Sequence, residues 1–260
     1  MSNGQSDRDA NGRVTSAVSG GVATVEFFHP KGNSLPGVVL RQLADEIAAA
    51  GRRDDVRVIA LRSGGDGPFC AGASFDELVA IRDAKMGKEF FLGFARVILA
   101  MIRCPKPIVT RVHGKVVGGG VGVVAASDYA IAADGASLRL SELAVGIGPF
   151  VVGPAIAHKI GAAQFGAMAL DADWRTAAWA RSVGLYADVR DVVSSLDDAH
   201  ATLVARLAAS NPDATAQIKR TLWADTADWD RLLDERAEMS GRLVLSDYTK
   251  KAIAAFKAKK

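Results

Sequence analysis

Residues 107–142 read PIVTRVHGKVVGGGVGVVAASDYAIAADGASLRLSE, and this stretch decides the fold. Ile108 to Val112 is an apolar, β-branched run of strand length, and Val116-Val117 is a shorter one leading into Gly118-Gly119-Gly120. Val121 to Ala126 then resumes with the small apolar residues of a buried helix. Three glycines at this junction remove the side chains that would keep a ligand away. The first turn of the helix adds N–H groups without intrahelical acceptors and the positive end of the dipole. Such a turn binds negative oxygen, either a carbonyl becoming an oxyanion or a phosphate.

Gly120-Val121-Gly122-Val123-Val124-Ala125 satisfies G-x-G-x-x-A after a strand, and Asp134 or Glu142 lies downstream as a ribose-binding acid. That is the pattern of a nicotinamide dinucleotide site. A second segment argues for the oxyanion. Phe69-Cys70-Ala71-Gly72-Ala73-Ser74-Phe75 follows a strand, Val56 to Arg62, and precedes a helix, with Ser74 as N-cap and Glu77 at the capping-box position. Two such turns suggest two backbone donors converging, and the dinucleotide reading leaves the first turn without a task.

Outward from these turns, Val14 to Val18, Gly20-Gly21 and Val22 to Phe28 read as a hairpin, followed by a loop from His29 to Ser34. Pro36 opens a helix whose face carries Val39, Leu40, Leu43, Ala44, Ile47 and Ala48, and Gly51 closes it. After a polar break at Lys85 to Lys88, Phe91, Phe94, Ala95, Ile98 and Ile102 recur at helical spacing, as a core stripe or as the lining of an acyl pocket. Cys104-Pro105 ends that helix. The alternation of strand and helix predicts an α/β protein with a largely parallel sheet, whose right-handed crossovers bring the two glycine turns to the same strand ends.

The chain has 260 residues, 49% hydrophobic and 23% charged, the composition of a globular protein with a large core. A net charge of +3 is too small for a nucleic-acid binder. No stretch approaches the roughly 20 apolar residues of a membrane span, and the polar N-terminus carries no apolar run of a secretory signal. A cytoplasmic protein is expected. Cys70 and Cys104 have neither disulfide nor metal-ligand spacing, so no metal site is expected, and Cys70 reads as a small core residue. G-x-S-x-G is absent, which disfavours a serine hydrolase.

FCAGAS (69–74), then VHGKVVGGGVGVVAASDYAIAA (112–133), then SELAVGIGP (141–149) resemble, in this order and spacing, the crotonase superfamily, also called the enoyl-CoA hydratase/isomerase family. The resemblance runs from about Ala23 to the C-terminus. It implies a crotonase-like spiral of ββα units, here residues 14–195, after a disordered N-terminus (1–13) and before a C-terminal helical oligomerisation subdomain (196–260). It implies an acyl-CoA substrate with no cofactor beyond the coenzyme A of the thioester, and a homotrimer or a dimer of trimers.

Carried onto this sequence, the family's oxyanion-hole amides are those of Ala73 and Gly119, flanked by Ala71, Gly72 and Gly118. Its later acidic residue is Glu142. Lys31 is a candidate for the CoA phosphates and Lys257, beside Phe256, for the adenosine end. Each has an ordinary alternative: Glu142 could pair with Arg139, and Lys31 could be a solvated lysine. His113, just before the glycine turn, could be a second acid or base, or a loop histidine held by a backbone hydrogen bond.

The sequence departs from the family at Gly122, where the pattern GGGxE carries an acid. Adding water across an enoyl thioester is naturally shared between two carboxylates. A lone Glu142 suits an isomerase or another enolate reaction, such as decarboxylation, at least as well as hydration. A CoA-binding scaffold without catalysis and the nicotinamide dehydrogenase stand as competing readings.

Overall fold

The structure, a computed structural model, describes residues 11–258. Of the expected disordered N-terminus, residues 1–10 lie outside the described residues, and Arg13 already belongs to the first strand. β1 (Arg13–Ser19) and β2 (Val22–Phe28) form the expected antiparallel hairpin, with Gly20 and Gly21 both at positive φ. β3 (Ser34–Leu35), β4 (Val58–Ser63), β5 (Gly72–Ala73), β6 (Ile108–Val112) and β7 (Val116–Val117) follow. After them come β8 (Tyr129–Ala133), β9 (Leu138–Arg139) and β10 (Asp188–Arg190).

The main sheet runs β1-β2-β4-β6-β8-β10 and is parallel from β2 onward. β3 pairs with β5 and β7 with β9, in two residues each. Successive turns of the chain thus lay one long strand in the main sheet and one short strand beyond its end. This is the ββα spiral that the resemblance implies.

Parallel strands covered on both faces must be apolar on both, and β4 illustrates it. Ile59 and Leu61 enter the larger core beneath the helices Gly37–Arg52 and Ala84–Arg103. Val58 and Ala60, on the alternate face, meet Leu196, Leu203 and Val204 of the helix Val193–Ala208. Residue 196, the expected start of the helical subdomain, falls inside this sheet-covering helix. Farther on, the helix Trp229–Leu243 lies against Ala84–Arg103 and sends Trp229, Leu233 and Ala237 into the larger core. The two helices touch closely, since a Cβ on Gly87 would lie 2.7 Å from the carbonyl oxygen of Gly241.

Two local expectations are corrected. Lys85 to Lys88 are no break but part of the helix Ala84–Arg103, because the carboxylate of Asp83 accepts the Met86 N–H at 2.8 Å and caps it. Gly51 does not close the first helix, which runs to Arg52; a side chain there would collide with Cys104 Sγ, 2.9 Å from an added Cβ.

The helix Pro212–Leu222 is anchored by a buried ion pair. Lys219, 3% exposed, places Nζ 2.7 Å from Asp128, whose carboxylate also accepts from Ile108 N–H at 2.7 Å and Trp223 Nε1–H at 3.0 Å. Removing one partner strands the other charge in the interior. Lys219→Ala should therefore cost about 3–5 kcal/mol, read as a fall in the urea midpoint, and a cost below about 1 kcal/mol would refute the anchoring role. Among the described residues no helix is long and apolar enough to cross a membrane.

Candidate active site

The two small-residue turns are laced together by backbone. Val117 N–H donates to Cys70 O at 2.9 Å and Cys70 N–H to Lys115 O at 3.3 Å. Gly72 has φ +92° and Gly118 φ +54°, conformations that L side chains rarely adopt. An added Cβ would lie 3.3 Å from Val117 O at Gly72 and 3.0 Å from Glu142 Oε1 at Gly118. The carboxylate of Glu142 therefore abuts the glycine turn itself.

Ser74 N–H donates to Leu35 O at 2.9 Å, so the N–H of Ala73, one residue earlier in the extended strand, faces the other way. Gly119 is the first residue of the helix Gly119–Ala125, where an amide has no intrahelical acceptor. Both residues line one cavity of about 520 Å³, together with Ala71, Gly72, Gly118 and Glu142. Lys31 also lines it, but its ammonium pairs with Asp76 and both side chains are mostly exposed. The side chain of Lys257 lies outside the described residues.

The aromatic stripe divides between its two readings. Phe91 and Phe94 line the cavity, with Phe75, Phe90 and Phe150, whereas Ile98 and Ile102 pack only into the core. Phe94 does both, being 5% exposed.

Glu142 is half-buried, and its Oε2 is buried without a hydrogen-bond partner. Burial pushes its carboxyl up to about 7; the backbone amides of Glu142 and Ser141 and the charge of Arg139 act in the opposite direction. Arg139 does not form the alternative ion pair, since its guanidinium sits over the Trp174 ring, 5.1 Å from the centroid.

At Gly122, where the family pattern has an acid, the surroundings are apolar. An added Cβ would lie 2.6 Å from Val152 Cγ1 and 3.2 Å from Ile98 Cδ1. Hydrocarbon stands where the first carbon of a side chain at this position would be. The same packing overturns the dinucleotide reading, because an added Cβ at Gly120 would lie 2.7 Å from Cys70 Cβ. These two glycines admit protein neighbours, not a pyrophosphate. Cys70 is fully buried with its thiol pushed up to about 12, a core residue as read.

His113 does not line the cavity. Both its ring nitrogens are buried without a hydrogen bond, and burial, then the charge of Arg111, lowers its pKa. The Gly67 backbone opposes this from nearby without meeting hydrogen-bond geometry. The acid or base reading of His113 thus finds no geometry in the cavity, while the loop reading keeps the nearby Gly67 backbone. Sequence reasoning missed Arg139, Phe150 and Ser240 as cavity residues. Arg139 had a signal, a cation three residues before the acid, but that spacing reads first as an ion pair.

Backbone donors beside a half-buried carboxylate, in an aromatic cleft at the ends of a parallel ββα spiral, define a class of site that can polarise a carbonyl. The family model described as enoyl-CoA hydratase/isomerase matches residues 17–260. A probable enoyl-CoA hydratase of Bacillus subtilis is 26% identical over 95% of this chain and 96% of its own. A (7aS)-7a-methyl-1,5-dioxo-2,3,5,6,7,7a-hexahydro-1H-indene-carboxyl-CoA hydrolase of Rhodococcus jostii is 35% identical over half of each chain. Against several of the curated relatives it matches, the chain spans only about half of their length. A solved structure of a putative enoyl-CoA hydratase from Mycobacterium avium paratuberculosis superposes with a TM-score of 0.85 at 27% identity, covering 95% of this chain and 97% of that one. The chain belongs to the enoyl-CoA hydratase/isomerase family, whose members act on acyl-CoA substrates.

Proposed function

We propose that this protein moves a proton between two carbons of an acyl-CoA thioester, with Glu142 as its acid and base. The thioester oxygen accepts from the N–H groups of Ala73 and Gly119, which stabilise the enolate that forms. The carboxylate of Glu142 takes a proton from the carbon next to the thioester carbonyl of a 3-enoyl-CoA. It returns the same proton two carbons along, so the double bond moves into conjugation and no water is consumed. A carboxyl raised to about 7 is matched to both halves of that exchange near neutral pH.

One observation carries the choice of isomerisation over hydration: residue 122 is glycine, and Val152 and Ile98 crowd the place of its missing Cβ, so no second acid stands there. Incubation with 2-enoyl- and 3-enoyl-CoA in heavy-oxygen water tests it. Double-bond migration without oxygen uptake is the expected result. Oxygen entering a 2-enoyl thioester as a 3-hydroxyl makes the protein a hydratase and ends the proposal.

A hydrolase is the second reading, favoured by the 35% identity to the Rhodococcus enzyme. It requires Glu142 to activate water, and heavy oxygen then appears in a released carboxylate. The trimer or paired trimer implied by the resemblance belongs to the proposal too, and light scattering on a sizing column reads it directly.

A further inference from the structure

Arg139 ends β9, and its place is fixed by backbone. It stands opposite Val117 in the β7–β9 pair, and its carbonyl accepts the Gly118 N–H at 3.0 Å. Its Cα is therefore held directly behind the glycine turn, three residues before Glu142. The residue lines the same cavity as Glu142, and its charge acts on that carboxyl.

What the guanidinium lacks is a partner of its own kind. Its Nε is buried and makes no hydrogen bond among the described residues. Its contact is the face of Trp174, which Lys115 shares from 5.3 Å. A ring face offsets only part of the cost of removing a cation from water and accepts none of its N–H groups in the ring plane. Buried donors without acceptors are rare in native proteins; Nε is closed to a ligand as it is to water, and it is the terminal nitrogens, which are not buried without a partner, that a ligand in the cavity would meet.

We propose that Arg139 binds a carboxylate carried on the acyl group of the substrate, so that the substrate is the CoA thioester of a short dicarboxylic acid. This rests on the reading of the cavity as an acyl-CoA site. A guanidinium presents paired N–H groups that match a carboxylate. Its place also selects the acyl half of the ligand. Arg139 lies beside the turn that would receive the thioester oxygen, whereas the candidate for the CoA phosphates, Lys31, stands at the exposed mouth. The positive charge further offsets repulsion between a substrate carboxylate and Glu142.

Saturated thioesters, which have no double bond to move, isolate binding. Titration calorimetry would compare succinyl-CoA and glutaryl-CoA with their methyl esters on the wild-type protein, Arg139→Gln and Arg139→Lys. At least one free acid should bind wild type roughly 10- to 100-fold more tightly than its ester, the range of a charge-assisted hydrogen bond. Arg139→Gln should erase that difference and Arg139→Lys should keep part of it.

Equal affinity of acid and ester for wild type overturns the proposal, as does a preference that survives in Arg139→Gln. The wild-type comparison decides even if a variant fails to fold. Thioesters of pantetheine, which lack the nucleotide phosphates, separate the two sources of anion. A preference for the acid that persists with them supports the acyl carboxylate. Weakening by Arg139→Gln confined to CoA forms, and equal for acid and ester, assigns the guanidinium to a phosphate and overturns it. If no thioester of either kind binds, the acyl-CoA reading falls with the proposal; if acid and ester bind equally, only the role of Arg139 falls.

Discussion

Glu142→Gln should slow turnover of a 3-enoyl-CoA by roughly 100- to 10,000-fold while leaving the affinity for a saturated acyl-CoA unchanged. The amide keeps the shape and polarity of the side chain but cannot accept a proton from carbon. Because the carboxyl titrates near 7, kcat/KM of the wild type should rise as pH passes through about 7, when the basic form accumulates, and the variant should lose this limb.

Stability should move the opposite way. The folded carboxyl binds its proton up to about 7, while the unfolded one releases it near 4.5, so between these values the folded state holds more protons. Stability then falls as pH rises through that window, by about 3 kcal/mol at most, at about 1.4 kcal/mol for each pH interval of one. Glu142→Gln carries no such penalty. It should melt higher than wild type at pH 8, and the gap should close by pH 4. A variant that keeps full activity removes Glu142 from the mechanism, and one that melts lower at pH 8 removes the burial argument for its pKa.

The strands and helices were legible because their signals are local, while their winding into a spiral came from the family resemblance. Apolar runs of strand length, breaks at glycine and helical faces of Val39, Leu43 and Ile47 each fix an element without reference to distant residues. The two glycine turns were legible for the same reason, as glycine at positive φ is written directly into Gly72 and Gly118. What the sequence hid is what depends on packing between remote segments. Gly122 could be seen to lack a carboxylate, but not that Val152, thirty residues on, crowds the place of its missing Cβ. The ends of helices were hidden where a single side chain decides them, as Asp83 does for the run through Lys85 to Lys88. For Arg139 the spacing offered only the alternative of a pair with Glu142, and it is the fold that turns its guanidinium onto Trp174.

Gly119→Ala should lower turnover by roughly 100- to 1000-fold, the cost of misaligning one oxyanion donor, about 3–4 kcal/mol. The cause is steric, for Gly119 has no positive φ, yet an added Cβ would lie 2.3–2.5 Å from three atoms of the Phe94 ring. Phe94 is held at 5% exposure on the long helix, so the first helical turn is expected to lift and tilt its N–H away from the thioester oxygen. Proline at this position would remove the donor but strike the same ring, and so could not separate the two effects. Phe94→Leu makes room. If misalignment is the cause, the double variant should recover much of the activity that Gly119→Ala loses, so that the two substitutions couple strongly in a double-mutant cycle. Full activity in Gly119→Ala alone would show that its amide does not act on the thioester. Additive losses in the pair would show that the damage does not pass through Phe94, and the cavity wall and the oxyanion turn would then be independent structures instead of one.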